Sequence, residues 1–219
     1  MVISKIFYIN LANRVDRKNY MNRQLKGYDI PFERFNAVRP SISDLEPGGK
    51  YYEFLSRSVP RLRLNINNKE HIDHIIGTMG CYISHYQIHK IAAEQNFEHY
   101  VILEDDCMLR KNWIETLNEF TQDVNEPYDI IRSYKNGSMF KFINCNYQSK
   151  FVDKFSHNID DGSHAILCNG SSALKIVDYM NEDYVYNIDA VYNTHRINVF
   201  AIHYAKQKPK YGSDIPRPY

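Results

Sequence analysis

The stretch Val101-Ile102-Leu103-Glu104-Asp105-Asp106 constrains this chain more than any other, because an apolar strand runs without a break into three carboxylates. Adjacent acids repel one another and resist desolvation, so this strand has to end where water or a cation meets them. In open α/β sheets the carboxyl ends of the strands face the ligand crevice. Acids gathered there suit a hard divalent cation, which takes oxygen ligands and also binds substrate phosphates. A solvated turn, or a cap for a helix near Trp113, is the plainer use of the same residues.

The rest of the chain alternates strands with helices, as an α/β fold requires. Residues 3–11 read as a buried first strand. Residues 13–25 read as an exposed amphipathic helix with Tyr20, Met21 and Leu25 at helical spacing, and 32–38 as a second strand. From 39 to about 78 the pattern dissolves around Pro40, Pro47-Gly48-Gly49, Pro60 and Asn65 to Asn68, which reads as a lid or binding loop. Gly80 then opens a helix over 81–95 with Cys81, His85, Ile88 and Ala92 on one face. A strand at 99–103, a helix at 113–120 and a strand at 129–131 follow. Beyond them come an aromatic-rich meander over 135–156, a strand at 164–168 and a helix over 171–180 capped by Gly170 or Ser171. A short helix over 189–194 and a last strand over 199–204 precede a tail carrying Lys206, Lys208 and Lys210.

At 219 residues the chain fits one domain, and a hydrophobic fraction of 43% is ordinary for a globular protein. A formal net charge of +1 gives no reason to expect nucleic acid or a membrane surface as a partner of the whole protein. No apolar run reaches the roughly 18–20 residues a membrane-spanning helix needs. The first residues are too short and too quickly polar for a signal peptide, so a cytoplasmic location is expected. Cys81, Cys107, Cys145 and Cys168 lie far apart with no paired spacing, which fits free thiols in a reducing compartment. Nothing in the pattern specifies an oligomeric state.

Several blocks, in order, resemble glycosyltransferase family 25, the lipooligosaccharide and collagen galactosyltransferase-like family. Tyr8-Ile9-Asn10-Leu11 followed by Arg17 is similar to its opening strand, and Phe35-Asn36-Ala37-Val38 to the end of its second. Gly80-Cys81-Tyr82-Ile83-Ser84-His85 resembles its Gly-Cys-x-x-Ser-His block, and Ile102 to Asp106 its metal and nucleotide motif. Ala165-Ile166-Leu167 before Ala173, and Asn187-Ile188-Asp189, resemble two later blocks. Thr78 stands where many members carry Glu.

The resemblance implies a GT-A-like α/β/α sandwich with a mostly parallel central sheet. It would be a single domain over 1–219, with a nucleotide-binding half over about 1–110 and an acceptor half with the basic tail over about 111–219. Glu104 and Asp106 would fall where an Asp-x-Asp motif falls, the first near the ribose and the last holding metal on the diphosphate, with Asp105 joining either. Asn10 joins the donor-binding residues on the same grounds. Arg17 is placed to reach a phosphate from the first helix. Lys206 and its neighbours either close over the diphosphate or form a solvated charge run. His203, in a late apolar strand, is a candidate nitrogen ligand to the metal. His85 reads first as a buried core histidine bracing a loop, since a buried imidazole needs a partner. Asp189 is the candidate base that deprotonates the acceptor hydroxyl, or else a helix cap.

These readings converge on transfer of a hexose, galactose or glucose, from a nucleotide diphosphate donor such as a UDP-sugar. The acceptor would be a hydroxyl of a glycan or glycoprotein, with Mn²⁺ or Mg²⁺ as cofactor and inversion at the anomeric carbon. The alternative is a non-catalytic carbohydrate-binding module on a degenerate transferase fold. A two-metal phosphohydrolase would need a second cluster of acids or histidines, for which His71, Asp73 and His74 are the available residues.

Overall fold

In the computed structural model the described residues are 1–58, 68–124, 127–133, 164–182, 187–192, 196–202 and 205–207. The first half runs β1 (Lys5–Asn10), α1 (Val15–Leu25), β2 (Phe32–Asn36), α2 (Ile42–Leu45), α3 (Tyr52–Ser56), α4 (Lys69–Glu94) and β3 (His99–Glu104). Then come β4 (Cys107–Leu109), α5 (Trp113–Asp123), β5 (Ile130–Ser133) and β6 (Ala165–Asn169). After a 3-10 turn over Gly170–Ser172 the chain continues through α6 (Ala173–Glu182), α7 (Ile188–Val191), β7 (Val199–Ile202) and β8 (Ala205–Gln207).

Six strands form one sheet in the order β2-β1-β3-β6-β5-β7. β1 pairs parallel with β2 and β3, and β5 pairs parallel with β7, while β6 runs antiparallel to both of its neighbours. The sheet is therefore mostly parallel, as expected, and β6 is its one reversed strand. Alternation along each strand builds two cores. Phe7, Ile9, Tyr100, Ile102 and Ile166 pack on α4, α6 and α7. Ile6, Tyr8, Val101, Leu103 and Leu167 pack with α1 and α5 through Met21, Leu25, Trp113 and Phe120. Helices on both faces make the α/β/α sandwich.

Three local expectations need correction. The irregular segment ends earlier than the sequence pattern indicates, because α4 starts at Lys69. Asn68 is its N-cap: the side chain accepts from the His71 amide at 3.1 Å, and Ile72, Ile75, Ile76 and Met79 continue the helical spacing. The helix after β6 is preceded by Asn169, whose side chain accepts from the Ser171 amide, so the cap lies one or two residues before the expected one. Two short strands, β4 and β8, are additional and, among the described residues, pair only with each other. The meander over 135–156 lies outside the described residues. No helix among the described residues is long and apolar enough to cross a membrane.

Candidate active site

The parallel register brings three strand ends to one edge, pairing Asn10 with Asn36 and Ile9 with Glu104. Asn10, 1% exposed, sits at the centre of this edge. Its Oδ1 accepts from Arg34 Nε at 2.8 Å, and its Nδ2 donates to Asp105 Oδ2 at 2.7 Å. Arg34 Nη2 also donates to the Asn36 side chain. Arg17, from α1, donates from Nη1 to the other Asp105 oxygen at 2.7 Å.

Asp105 is thus turned inward as a strut that ties the acidic turn to β1 and α1. The acids on either side of it, Glu104 and Asp106, both line the cleft, Glu104 half-buried and Asp106 buried. Glu104 ends β3, Asp105 and Asp106 form the turn into β4, and none of the three caps α5, whose N-cap residue is Asn112.

The opposite wall is α4. Gly80 packs so close to the segment after β2 that an added Cβ would lie 2.2 Å from the Val38 carbonyl oxygen. One turn on, Ser84 Oγ donates to the Gly80 carbonyl and accepts from the Val38 amide at 2.9 Å. Residues four apart share a helix face. Gly80 and Ser84 therefore clamp Val38, while Cys81 and His85 form the adjacent face. His85, fully buried, contacts the Tyr192 hydroxyl through Nδ1 at 2.9 Å. That hydroxyl also meets His89 Nε2, whose other nitrogen contacts the Tyr100 hydroxyl.

The resulting cleft has a cavity volume of about 120 Å³ and opens to solvent. Ile9, Leu11, Ala37, Val38 and Gly77 give it apolar walls beside the acids. Burial first, then the negative charges of Glu104, Asp189 and Asp106, push the Cys81 thiol well above its ordinary value. Asp189 is therefore electrically close to the acidic turn although it is distant from it in sequence. It occupies the first turn of α7, and the cap there is Asn187, whose Oδ1 accepts from the Ala190 amide. The alternative reading of Asp189 as the cap does not hold.

Arg17 lines the same cleft with Nη1 committed to Asp105. Lys206 sits in β8 opposite Met108, which places its backbone beside the strand that follows the acids. His203 lies outside the described residues. His71, Asp73 and His74 fall on the first turns of α4. Among the described residues, the one cluster of metal-ligating side chains is Cys81, His85 and Glu104. Sequence reading missed Arg34, Tyr192 and this cluster. A basic residue in a short, exposed strand carries no signal of its own, and Tyr192 is one of 18 tyrosines.

A reversed strand within an otherwise parallel sheet, and an acidic cleft at the carboxyl ends, define a GT-A-like fold. A glycosyltransferase involved in the glycosylation of the major capsid of PBCV-1 has the same fold: its crystal structure aligns with a TM-score of 0.50 over 97% of this chain and 95% of that one, at 11% identity. The sequence profile of glycosyltransferase family 25, described as LPS biosynthesis proteins, matches residues 3–189, and the chain belongs to that family. A Haemophilus influenzae protein provisionally named a glycosyltransferase is 28% identical over 134 residues, covering 61% of this chain and 43% of its own. Procollagen galactosyltransferase 1-B of Xenopus laevis is 28% identical over 134 residues, 60% of this chain and 21% of that protein. The chain thus spans less than half the length of these curated relatives.

Proposed function

We propose that this protein is a glycosyltransferase that moves a hexose from a nucleotide diphosphate, most simply a UDP-sugar, to a hydroxyl of a glycan or glycoprotein. The observation that carries this reading is the open cleft at the carboxyl ends of β1 and β3, lined by Glu104 and Asp106, with Asp189 acting on the same Cys81 thiol as both. Asp105 is neutralised by Arg17, whereas Glu104 and Asp106 line an open cleft at the sheet edge where α/β folds bind nucleotides.

That donor set fits Mn²⁺ or Mg²⁺: carboxylate oxygens on one side, with room on the other for diphosphate oxygens. Glu104 and Asp106 would hold the cation. When bound, it supplies charge neutralisation for the departing diphosphate. The Asn10–Asp105–Arg17 strut fixes the turn that presents both acids, so that they need little reorganisation as charge develops. Asp189 takes the proton of the acceptor hydroxyl as its oxygen attacks the anomeric carbon opposite the leaving group, which inverts configuration.

Thermal unfolding with a panel of nucleotide diphosphate sugars, each with and without Mn²⁺, tests the reading. A ligand that binds only the folded state raises the melting temperature by mass action. The expected result is a metal-dependent rise with one nucleotide family. Unshifted melting of the folded protein with every donor would refute it.

A further inference from the structure

The Gly-Cys-x-x-Ser-His segment of α4 holds a group the proposed transfer does not use. Cys81 and His85 lie one turn apart on the helix, and Glu104 faces them from the end of β3. One ligand atom from each lies within 4.8 Å of the other two. His85 is 0% exposed, and its Nε2 is buried with no hydrogen-bond partner. A buried polar nitrogen left unsatisfied costs about 1–3 kcal/mol, so an orphan on an imidazole clustered with a thiol and a carboxylate calls for a ligand.

The hydrogen bonds behind the imidazole show what kind of ligand. His85 Nδ1 meets Tyr192, Tyr192 meets His89 Nε2, and His89 Nδ1 meets Tyr100. Protons can run along this chain in either of two consistent senses. In one, Tyr192 donates to His85 Nδ1, and His85 Nε2 carries a hydrogen. In the other, His85 Nδ1–H donates to Tyr192, Tyr192 donates to His89 Nε2, and His89 Nδ1–H donates to Tyr100. His85 Nε2 then presents a bare lone pair. A metal-binding histidine has this same arrangement, with the outer nitrogen donating to a fixed oxygen that sets the tautomer and ring orientation.

We propose that Cys81 Sγ, His85 Nε2 and a Glu104 oxygen form a site for a borderline-soft divalent cation of the Zn²⁺ class, occupied without nucleotide. Thiolate, imidazole and carboxylate are the three zinc donor types, and hard Mg²⁺ or Mn²⁺ does not select sulfur. Bonds of about 2.0–2.3 Å around one ion draw the donors closer together than they stand now, which the half-buried Glu104 side chain accommodates by a small shift. Cys81 and Glu104 both line the cleft, so the fourth position opens toward bound substrate, as in zinc sites that act on a ligand. Binding displaces the thiol proton, and the cation's charge answers the three carboxylates that surround the sulfur. Glu104 is the only residue shared with the proposed nucleotide-metal site.

Co²⁺ titration of the chelator-stripped protein without nucleotide tests this directly. The expected result is one equivalent bound with thiolate-to-cobalt charge-transfer absorption that Cys81→Ser abolishes. Tyr192→Phe, which removes the hydrogen-bonding oxygen from His85 Nδ1, should weaken affinity roughly 10–100-fold while leaving that absorption in place at saturation. No charge-transfer absorption in the wild type, or its persistence in Cys81→Ser, overturns the site. Should Cys81→Ser fail to fold, mass-mapped alkylation of the wild type probes the same thiol. Stoichiometric Zn²⁺ should slow modification of Cys81, and an unchanged Cys81 rate overturns the proposal. A nucleotide-dependent melting shift with Mn²⁺ alongside a failed cobalt titration would remove this site and leave the transferase reading standing.

Discussion

Replacing Arg17 by Met isolates the strut on which the acidic turn rests. The Arg17 and Asp105 side chains are 4% and 9% exposed and meet at 2.7 Å. The substitution keeps most of the aliphatic volume and leaves the Asp105 carboxylate buried, with Asn10 Nδ2 as its remaining hydrogen-bond donor in the strut. Breaking a buried pair from one side costs about 3–5 kcal/mol, because the abandoned charge stays desolvated. For a chain of this length each kcal/mol is roughly 2–4 °C in melting temperature, so a fall of about 6–20 °C is expected. Adding Asp105→Asn removes the stranded charge while leaving an oxygen for Asn10 to meet. The double variant should therefore recover half or more of the loss, and the cycle gives the coupling. Trp113, the single tryptophan and fully buried, supplies the fluorescence signal for urea unfolding. A loss below about 1 kcal/mol for Arg17→Met, or a double variant less stable than the single one, would refute the strut.

Two further stability predictions follow from α4. Ser84→Ala strands the Val38 amide, so a loss of about 1–3 kcal/mol is expected in the same unfolding assay, and a neutral result would show that Ser84 does not clamp the segment after β2. Burial pushes the His89 imidazole down to about 3, so the unfolded chain binds the proton more readily than the folded one. The stability this neutral histidine contributes is complete above the unfolded value of 6.5 and is lost as pH falls from there toward 3. At pH 5 its loss amounts to about 2 kcal/mol. Urea midpoints measured between pH 7 and 5 should fall accordingly and fall less in His89→Gln; equal slopes would remove His89 as a source.

The sandwich was legible because short apolar strands alternate with helical segments along the chain and the acidic triplet stands out at a strand end. What was not legible depends on contacts distant in sequence. Three adjacent acids look equivalent in a string, and only the register of β1 against β3 turns Asp105 toward Arg17 and Asn10. Arg34 reaches Asn10 across neighbouring strands, which no local pattern reports. The early start of α4 was hidden because Asn65 to Asn68 reads as loop until Asn68 is seen accepting the His71 amide. The Gly-Cys-x-x-Ser-His spacing already implied two adjacent helix faces. What those faces meet, Val38 on one and Glu104 with Tyr192 on the other, required the fold.

Release of nucleoside diphosphate from the donor identified by the melting panel, followed with acceptor glycans present, tests the central claim most directly. Wild-type protein should release it in a metal-dependent reaction. Asp106→Asn should lose nucleotide binding and turnover together, while Asp189→Asn should still bind donor but no longer transfer. Donor binding by wild type without any turnover, or near-wild-type transfer by both variants, would contradict the account.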